Sequence, residues 1–191
     1  MRMENYFMSI AFSEEKMEEM EEILEKFIVD NNISYEVPVD VFNVASKIGF
    51  DIRGTEFNEK LEGLILVDET ADRIPGFNSN KVIAYDCHKD INHKKFIVAH
   101  ELAHYIEEKI NNWESKIVVA ARDHEEGYSE NEDEQRKDYI AAALLVPRSD
   151  LLKRFPKDKI TINKSFYQEV SDIYNVSYNL AERRIHEVYH G

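Results

Sequence analysis

Two short segments of the chain have the spacing His-Glu-x-x-His. HELAH occupies residues 100–104. HEVYH occupies residues 186–190, and one further residue follows it in the sequence. In a helix, residues i and i+4 lie on one face a turn apart, so two imidazoles can reach the same zinc ion. The glutamate that follows the first histidine is then placed to act on a water molecule. This spacing predicts metal-assisted hydrolysis.

The first segment lies in surroundings that suit a buried metal. HELAH is part of a strongly apolar stretch that is predicted to form one helix from about Asn92 to Ile110. Such a helix must be largely buried, and buried histidines and glutamates need partners. A shared metal ion would supply one. In the alternative interpretation His100 and His104 bind no metal, and both imidazole rings then need other hydrogen-bond partners.

A second predicted helix, from about Glu132 to a stop before Pro147, adds acidic side chains. Glu134 and Asp138 are themselves i and i+4, and the alanines at 141–143 would let two helices approach closely. We expect one carboxylate at the metal and the other against a ligand histidine. With Glu101 as catalytic base, the set of residue types is complete.

The second segment, at residues 186–190, has weaker support. Little chain follows it to bring a third ligand, and terminal turns fray. Its neighbours Glu182, Arg183, Arg184 and Glu187 indicate a solvated face. We therefore expect the metal at His100 and His104 rather than at His186 and His190.

Composition limits the other classes of function. The 191 residues are 43% hydrophobic, which fits about one globular unit. The net charge of −14 opposes binding to DNA or to an anionic membrane and favours a basic partner. The start of the chain has no signal-peptide pattern, and no apolar run is long enough to span a bilayer. Cys87, the single cysteine, excludes an internal disulfide and is expected to be a small buried hydrophobe. We expect a cytoplasmic protein.

Hydrophobic periodicity places the remaining elements. A helix is predicted for residues 13–30, with Ser13 as its cap, and a second for residues 39–47. Short strands are predicted at residues 50–53, 64–67 and 81–85, of which the last two form an antiparallel pair. Short helices are expected after residue 149.

These motifs resemble the ImmA/IrrE family of metallo-endopeptidases. The resemblance rests on HKKFIVAHELAHYI followed by EQRKDYIAAALLVP, and it extends over roughly residues 36–188. It implies an α+β, thermolysin-like gluzincin core, in which a small antiparallel sheet packs on the HExxH helix and on the helix of the Glu ligand. The domains would be an N-terminal helical extension at 1–35, a zinc peptidase domain at 36–155 and a C-terminal helical segment at 156–191.

The resemblance also implies roles for individual residues. His100, His104 and Glu134 match the Zn²⁺ ligands, Glu101 the general base and Asp138 the residue that orients a histidine. Glu130 is the alternative third ligand. Two residues depart from the family pattern: Lys137 replaces a small residue and can point outward, and Ile140 replaces an aromatic residue.

Substrate binding is expected on a strand. Residues 81–85 are similar in position to the edge strand of such proteases, so the backbone of Val82, Ile83 and Ala84 is predicted to pair with substrate. The residues considered for stabilising an oxyanion are Tyr85, His93, Tyr105 and Tyr128.

Known members of the family cut helix-turn-helix repressors and so switch on mobile-element or stress-response genes. A similar protein substrate, with no direct contact to nucleic acid or membrane, is the expectation here. Two alternatives stay open: a zinc-stabilised regulator that binds without cutting, and a DNA-binding module in the C-terminal helices. The acidic residues of those helices oppose DNA binding; they are Glu169, Asp172, Glu182 and Glu187.

Overall fold

The computed structural model describes residues 12–34, 36–57, 61–110, 117–123 and 131–189. Within these ranges, no helix is long and apolar enough to cross a membrane. The elements are α1 (Glu14–Asp30), α2 (Val41–Lys47), β1 (Asp51–Thr55), β2 (Leu61–Asp68), β3 (Lys81–Asp86), α3 (Ile91–Ile110), β4 (Ile117–Asp123), α4 (Glu132–Leu145), α5 (Arg148–Arg154), a 3-10 turn (Lys157–Lys159), α6 (Lys164–Tyr174) and α7 (Tyr178–Tyr189).

The four strands form one mixed sheet in the order β1-β3-β2-β4. The predicted antiparallel pairing of β2 with β3 is confirmed, and β4 is antiparallel to β2 on the other side. The expected α+β architecture with a small sheet is confirmed, but the sheet is mixed rather than antiparallel throughout, because β1 runs parallel to β3. In this order β3 lies between β1 and β2, which run in opposite directions. A strand antiparallel to β2 must therefore be parallel to β1.

The edge strand differs from the prediction. β3 pairs with β1 on one side and with β2 on the other, and Val82, Ile83 and Ala84 are 1%, 0% and 7% exposed. Their backbone groups are used within the sheet, so the predicted pairing of these residues with substrate is wrong. The outer strands of the described sheet are β1 and β4. Strand β4 was not predicted, although the β-branched residues at 117–119 are typical of a strand.

Helix α3 packs beneath β2 and β3 and against α4. The predicted packing of α3 on α4 is confirmed, and Ala141, Ala142 and Ala143 of α4 are fully buried. Lys137 does not point outward as predicted. It is 8% exposed, and its Nζ lies 2.9 Å from Glu107 Oε2 on α3, so an ion pair replaces the small residue of the family pattern.

The N-terminal helix is part of the same hydrophobic core. α1 begins after Ser13, whose side chain accepts a hydrogen bond from Lys16 N, as the predicted cap requires. Its apolar face packs on α3 and α4. The buried residues of that face are Met17, Met20, Leu24, Phe27 and Ile28.

Two further residues differ from the sequence prediction in burial. Cys87 is partly exposed rather than buried, because β3 has ended and the chain turns at the surface. Arg184 on α7 is fully buried rather than solvated. Its guanidinium is ion-paired with Glu21 of α1 and lies over the ring of Tyr139, while its Nε donates to the carbonyl of Val146 at 3.0 Å. These partners tie α7 to α1 and α4.

Candidate metal centre

Helices α3 and α4 bring three donor side chains together. The ligand atoms of His100, His104 and Glu134 all lie within 4.8 Å of one another. His100 Nε2 is 3.2 Å from Glu134 Oε2, and His104 Nε2 is 3.9 Å from Glu134 Oε1. The two histidines are one turn apart on α3, and their ring centroids are 5.1 Å apart. The structure therefore brings together the residues that the two motifs indicated.

Asp138, one turn after Glu134, forms a hydrogen bond with the first histidine. His100 Nδ1 lies 2.8 Å from Asp138 Oδ1, and both groups are buried. An ionised carboxylate can only accept, so Nδ1 carries the proton and donates it. Nε2, the other nitrogen of the ring, faces Glu134 and His104. Arg183 of α7 lies 3.9 Å from the other oxygen of Asp138, so the C-terminal helix supports this arrangement.

The charge states of these groups favour a bound cation. Burial, followed by the nearby charge of His100, lowers the pKa of His104 to about 4, so its imidazole is neutral at pH 7. The hydrogen bond with His100 is the largest cause that lowers the pKa of Glu134, which is therefore ionised. The cluster combines this carboxylate with two imidazole rings, and a bound cation would take the place of the proton in the hydrogen bond between His100 Nε2 and Glu134.

The spacing of the donors is compatible with zinc. Donors about 2.0–2.2 Å from one tetrahedral ion lie roughly 3.3–3.6 Å from each other. The separations from Glu134 to the two histidines, 3.2 and 3.9 Å, are close to that range. Two imidazoles and one carboxylate also form a known catalytic donor set for this metal, which keeps a position for water.

Glu101 lies between α3 and the sheet and is fully buried. The strand residue above it is Gly63 of β2. An added Cβ at Gly63 would lie 2.5 Å from Glu101 Oε1 and 2.6 Å from Ile97 Cγ2. Only glycine leaves this space for the carboxylate. Gly63 was not predicted as a site residue, although a glycine inside a strand is typical of a close approach by another group.

A cavity of about 640 Å³ opens beside the second histidine. Two of its acidic residues differ in pairing: Glu107 is neutralised by Arg136 and Lys137, whereas Glu108 Oε2 is buried without a hydrogen-bond partner among the described residues. Burial raises the pKa of Glu108. The carboxylates on its wall outnumber the cations. The lining residues are His104, Glu107, Glu108, Asn131, Glu132, Asp133, Glu134, Arg136 and Lys137.

His93 lies on the same helix as the donors but does not reach them. It is seven residues before His100, which corresponds to about 10.5 Å along the helix axis. Its Nε2 lies 3.1 Å from Glu62 Oε2, and Lys89 Nζ donates to the other oxygen at 2.6 Å. These interactions lower the pKa of Glu62 to about 2, and the hydrogen bond with His93 is the largest cause. His93 is therefore too distant to stabilise an oxyanion at the cluster.

The tyrosines considered for the oxyanion role have other contacts. The ring of Tyr105 packs edge-on against Phe27 and Phe50 in the core, and its hydroxyl accepts from Lys81 Nζ at 2.7 Å. Tyr85, which pairs with Gly63 in the β2–β3 ladder, packs against a phenylalanine of α2. Tyr128, like the alternative ligand Glu130, lies outside the described residues.

The second His-Glu-x-x-His segment has structural contacts instead of a donor cluster. His186 Nε2 lies 3.1 Å from the hydroxyl of Tyr167, and Glu187 pairs with Arg183 and Arg184. His190 lies outside the described residues. In the ranges that the structure covers, no metal-type group of donors includes His186.

Comparison with known proteins agrees with this geometry. Residues 47–186 match the Peptidase_M78 family model, which is described as the IrrE N-terminal-like domain. No curated protein matches the chain significantly. The matched range includes both α3 and α4, and with them every residue of the donor cluster. The chain therefore belongs to the Peptidase_M78 family of metallopeptidases, as its resemblance to ImmA/IrrE proteins implied.

Proposed function

We propose that the protein is a zinc-dependent endopeptidase. His100, His104 and Glu134 would hold the metal, Glu101 would be the general base, and Asp138 would orient His100. The observation that supports this most strongly is the convergence of the three donors within 4.8 Å, on two helices of a peptidase family.

When bound, zinc acts as a Lewis acid that polarises a substrate carbonyl and makes water acidic enough to lose a proton near pH 7. Glu101 accepts that proton and later donates it to the amine that leaves when the peptide bond breaks. Its position between α3 and β2 keeps its carboxylate out of bulk water. Asp138 keeps the Nδ1 proton of His100 in place and so preserves the Nε2 lone pair.

The outer edge of β4 is the proposed place for substrate backbone. Gly63, which touches Glu101, pairs with Arg122 of β4. The outer edge of β4 is thus one strand spacing, about 4.8 Å, from the strand that contacts the catalytic base. An extended peptide can add to such an edge through main-chain hydrogen bonds.

The charge of the cavity supports a basic protein substrate. Five carboxylates and two cations lie among its lining residues, and the whole chain carries a charge of −14. A DNA-binding repressor has a basic surface that would complement both. We propose a helix-turn-helix repressor as the substrate class.

Cleavage of purified candidate repressors tests the proposal. Zinc-loaded wild type should cut the substrate, and Glu101→Gln should not, with equal zinc content in both. The matched control is Glu169→Gln, which makes the same charge change at an exposed position of α6. Equal cleavage by wild type and Glu101→Gln would exclude the mechanism.

One observation favours the second candidate, a zinc-stabilised regulator that does not cut. Glu101 and His100 are 0% and 1% exposed, and neither lines the cavity beside His104. If the protein acts by binding alone, Glu101→Gln retains its biological effect. The DNA-binding alternative is less well supported, because Arg184 is buried and Arg183 pairs with Glu187 at 2.7 Å.

A further inference from the structure

A second group of metal-type donors lies where β1 and β3 end. Glu56, Cys87 and His88 offer a carboxylate oxygen, a sulfur and an imidazole nitrogen, all within 4.8 Å of one another. We propose that these three residues form a second binding site for a thiophilic divalent cation such as Zn²⁺, separate from the cluster on α3 and α4.

Parallel strand pairing brings these residues together. β1 and β3 run in the same direction with Thr55 opposite Asp86, so the residues that follow the two strands meet at one edge of the sheet. The amide of Cys87 donates to the carbonyl of Thr55 at 2.9 Å and continues the ladder by one bond. Glu56 and Cys87 are therefore neighbours because of the register of the sheet.

A turn directs the histidine toward the same point. The amide of His88 donates to Asp86 Oδ1 at 2.9 Å, which fixes the backbone after β3. His88 Nε2 lies 3.4 Å from Glu56 Oε1, a separation typical of two donors that share one ion. The other two donor pairs both include the sulfur of Cys87, and their atoms lie within 4.8 Å of each other. Tetrahedral ligation would require each of these distances to shorten by about 1 Å at most. Such a movement is accessible because the Glu56 and His88 side chains are 80% and 68% exposed.

The donor types decide the class of cation. Thiolate with imidazole favours zinc, cobalt or copper, whereas Mg²⁺ and Ca²⁺ prefer oxygen ligands. On binding, the Cys87 thiol releases its proton to solvent and forms a metal–sulfur bond, while Glu56 and His88 donate lone pairs. Three protein ligands leave a fourth position for water or for a ligand from another molecule.

Reactivity of the thiol tests this site directly, because Cys87 is the only cysteine of the chain. Reduced full-length protein is titrated with zinc chloride, and the rate of reaction with a disulfide reagent is measured. At a zinc concentration ten times the Kd, mass action leaves roughly a tenth of the thiol free, so the rate should fall about tenfold. The same concentration of Mg²⁺ should have no effect.

Variants separate a three-ligand site from a thiol that binds zinc alone. His88→Ala and Glu56→Gln should each raise the half-protecting zinc concentration about tenfold or more, by loss of one ligand. Asp72→Asn, an equal charge change at an exposed carboxylate outside the group, should leave it unchanged. Native mass spectrometry should find one zinc ion fewer on Cys87→Ser than on wild type.

Either of two results would overturn the inference. The first is a thiol that reacts at the same rate with and without zinc. The second is wild-type protection in both His88→Ala and Glu56→Gln. Neither result bears on the catalytic proposal, because neither measurement uses peptide cleavage.

Discussion

Replacement of Gly63 by alanine would place a methyl group where β2 contacts α3. The added carbon would lie 2.5 Å from Glu101 Oε1 and 2.6 Å from Ile97 Cγ2, whereas ordinary contact begins at 3.4 Å. The strand and the helix must therefore separate by about 0.8 Å, or the two side chains must move by that distance. Ile97 is fully buried, so its methyl group has no free space to enter.

The displacement should affect both stability and catalysis. Overpacking of a well-packed core costs about 1–3 kcal/mol of unfolding free energy. A displacement approaching 1 Å at a reacting group can reduce the rate roughly 10²-fold. Zinc content should be unchanged, because the three heavy atoms nearest to the added carbon belong to Glu101 and Ile97 and not to a donor side chain.

Urea unfolding and kcat/KM on a cleaved substrate measure the two effects. Gly54→Ala is the matched control, because the same change in β1 meets only the outer end of the Tyr85 side chain at 3.2 Å. We expect less than about 0.5 kcal/mol there. Wild-type stability and turnover in Gly63→Ala would refute the proposed contact between this glycine and the catalytic carboxylate.

Three further predictions concern other parts of the molecule. Asp138→Asn should weaken zinc binding about 10–100-fold in a chelator competition, because His100 loses the carboxylate that orients it. Glu21→Gln should lower the unfolding free energy by about 3 kcal/mol in urea denaturation, because the guanidinium of Arg184 remains buried with one acidic partner fewer. Glu62→Gln should destabilise the protein more at pH 6 than at pH 3. The folded pKa of Glu62, about 2, lies below its ordinary value of 4.5, so its contribution is present above pH 4.5 and is lost as the pH falls toward 2.

Each of these predictions has a contrary result. Unchanged zinc affinity in Asp138→Asn would mean that its hydrogen bond does not orient the ligand. For the buried pair, Glu21→Gln combined with Arg184→Met should regain stability, and a double variant no more stable than Glu21→Gln would contradict the explanation. A loss of stability in Glu62→Gln that is equal at both pH values would exclude the proposed ionisation.

Local pattern was sufficient to identify the candidate site. Residues four apart in a helix lie one turn apart on the same face. This places His100 next to His104 on α3 and Glu134 next to Asp138 on α4, independently of the rest of the fold. The apolar residues around HELAH and the alanines at 141–143 then predict that both helices are buried and close. The structure brings the two pairs together.

Properties that depend on strand order were not available from pattern alone. β3 was predicted as an edge strand, yet it pairs with a strand on both sides. The prediction failed because local sequence pattern does not specify which strands become neighbours in a sheet. The burial of Lys137 and Arg184 has the same origin. Their side chains are polar, and only the acidic partners Glu107 and Glu21, on other helices, make burial favourable.

Sequence pattern was enough to identify the candidate donor residues, the two helices that carry them and the peptidase family. These follow from spacings of three to four residues and from motifs that lie within single helices. Tertiary structure alone decided that Gly63 makes room for Glu101, that β4 is an outer strand, and that Glu56 meets Cys87 and His88. Each of these contacts joins residues far apart in the chain, and the register between strands and the packing of the sheet on α3 set them, rather than any local pattern.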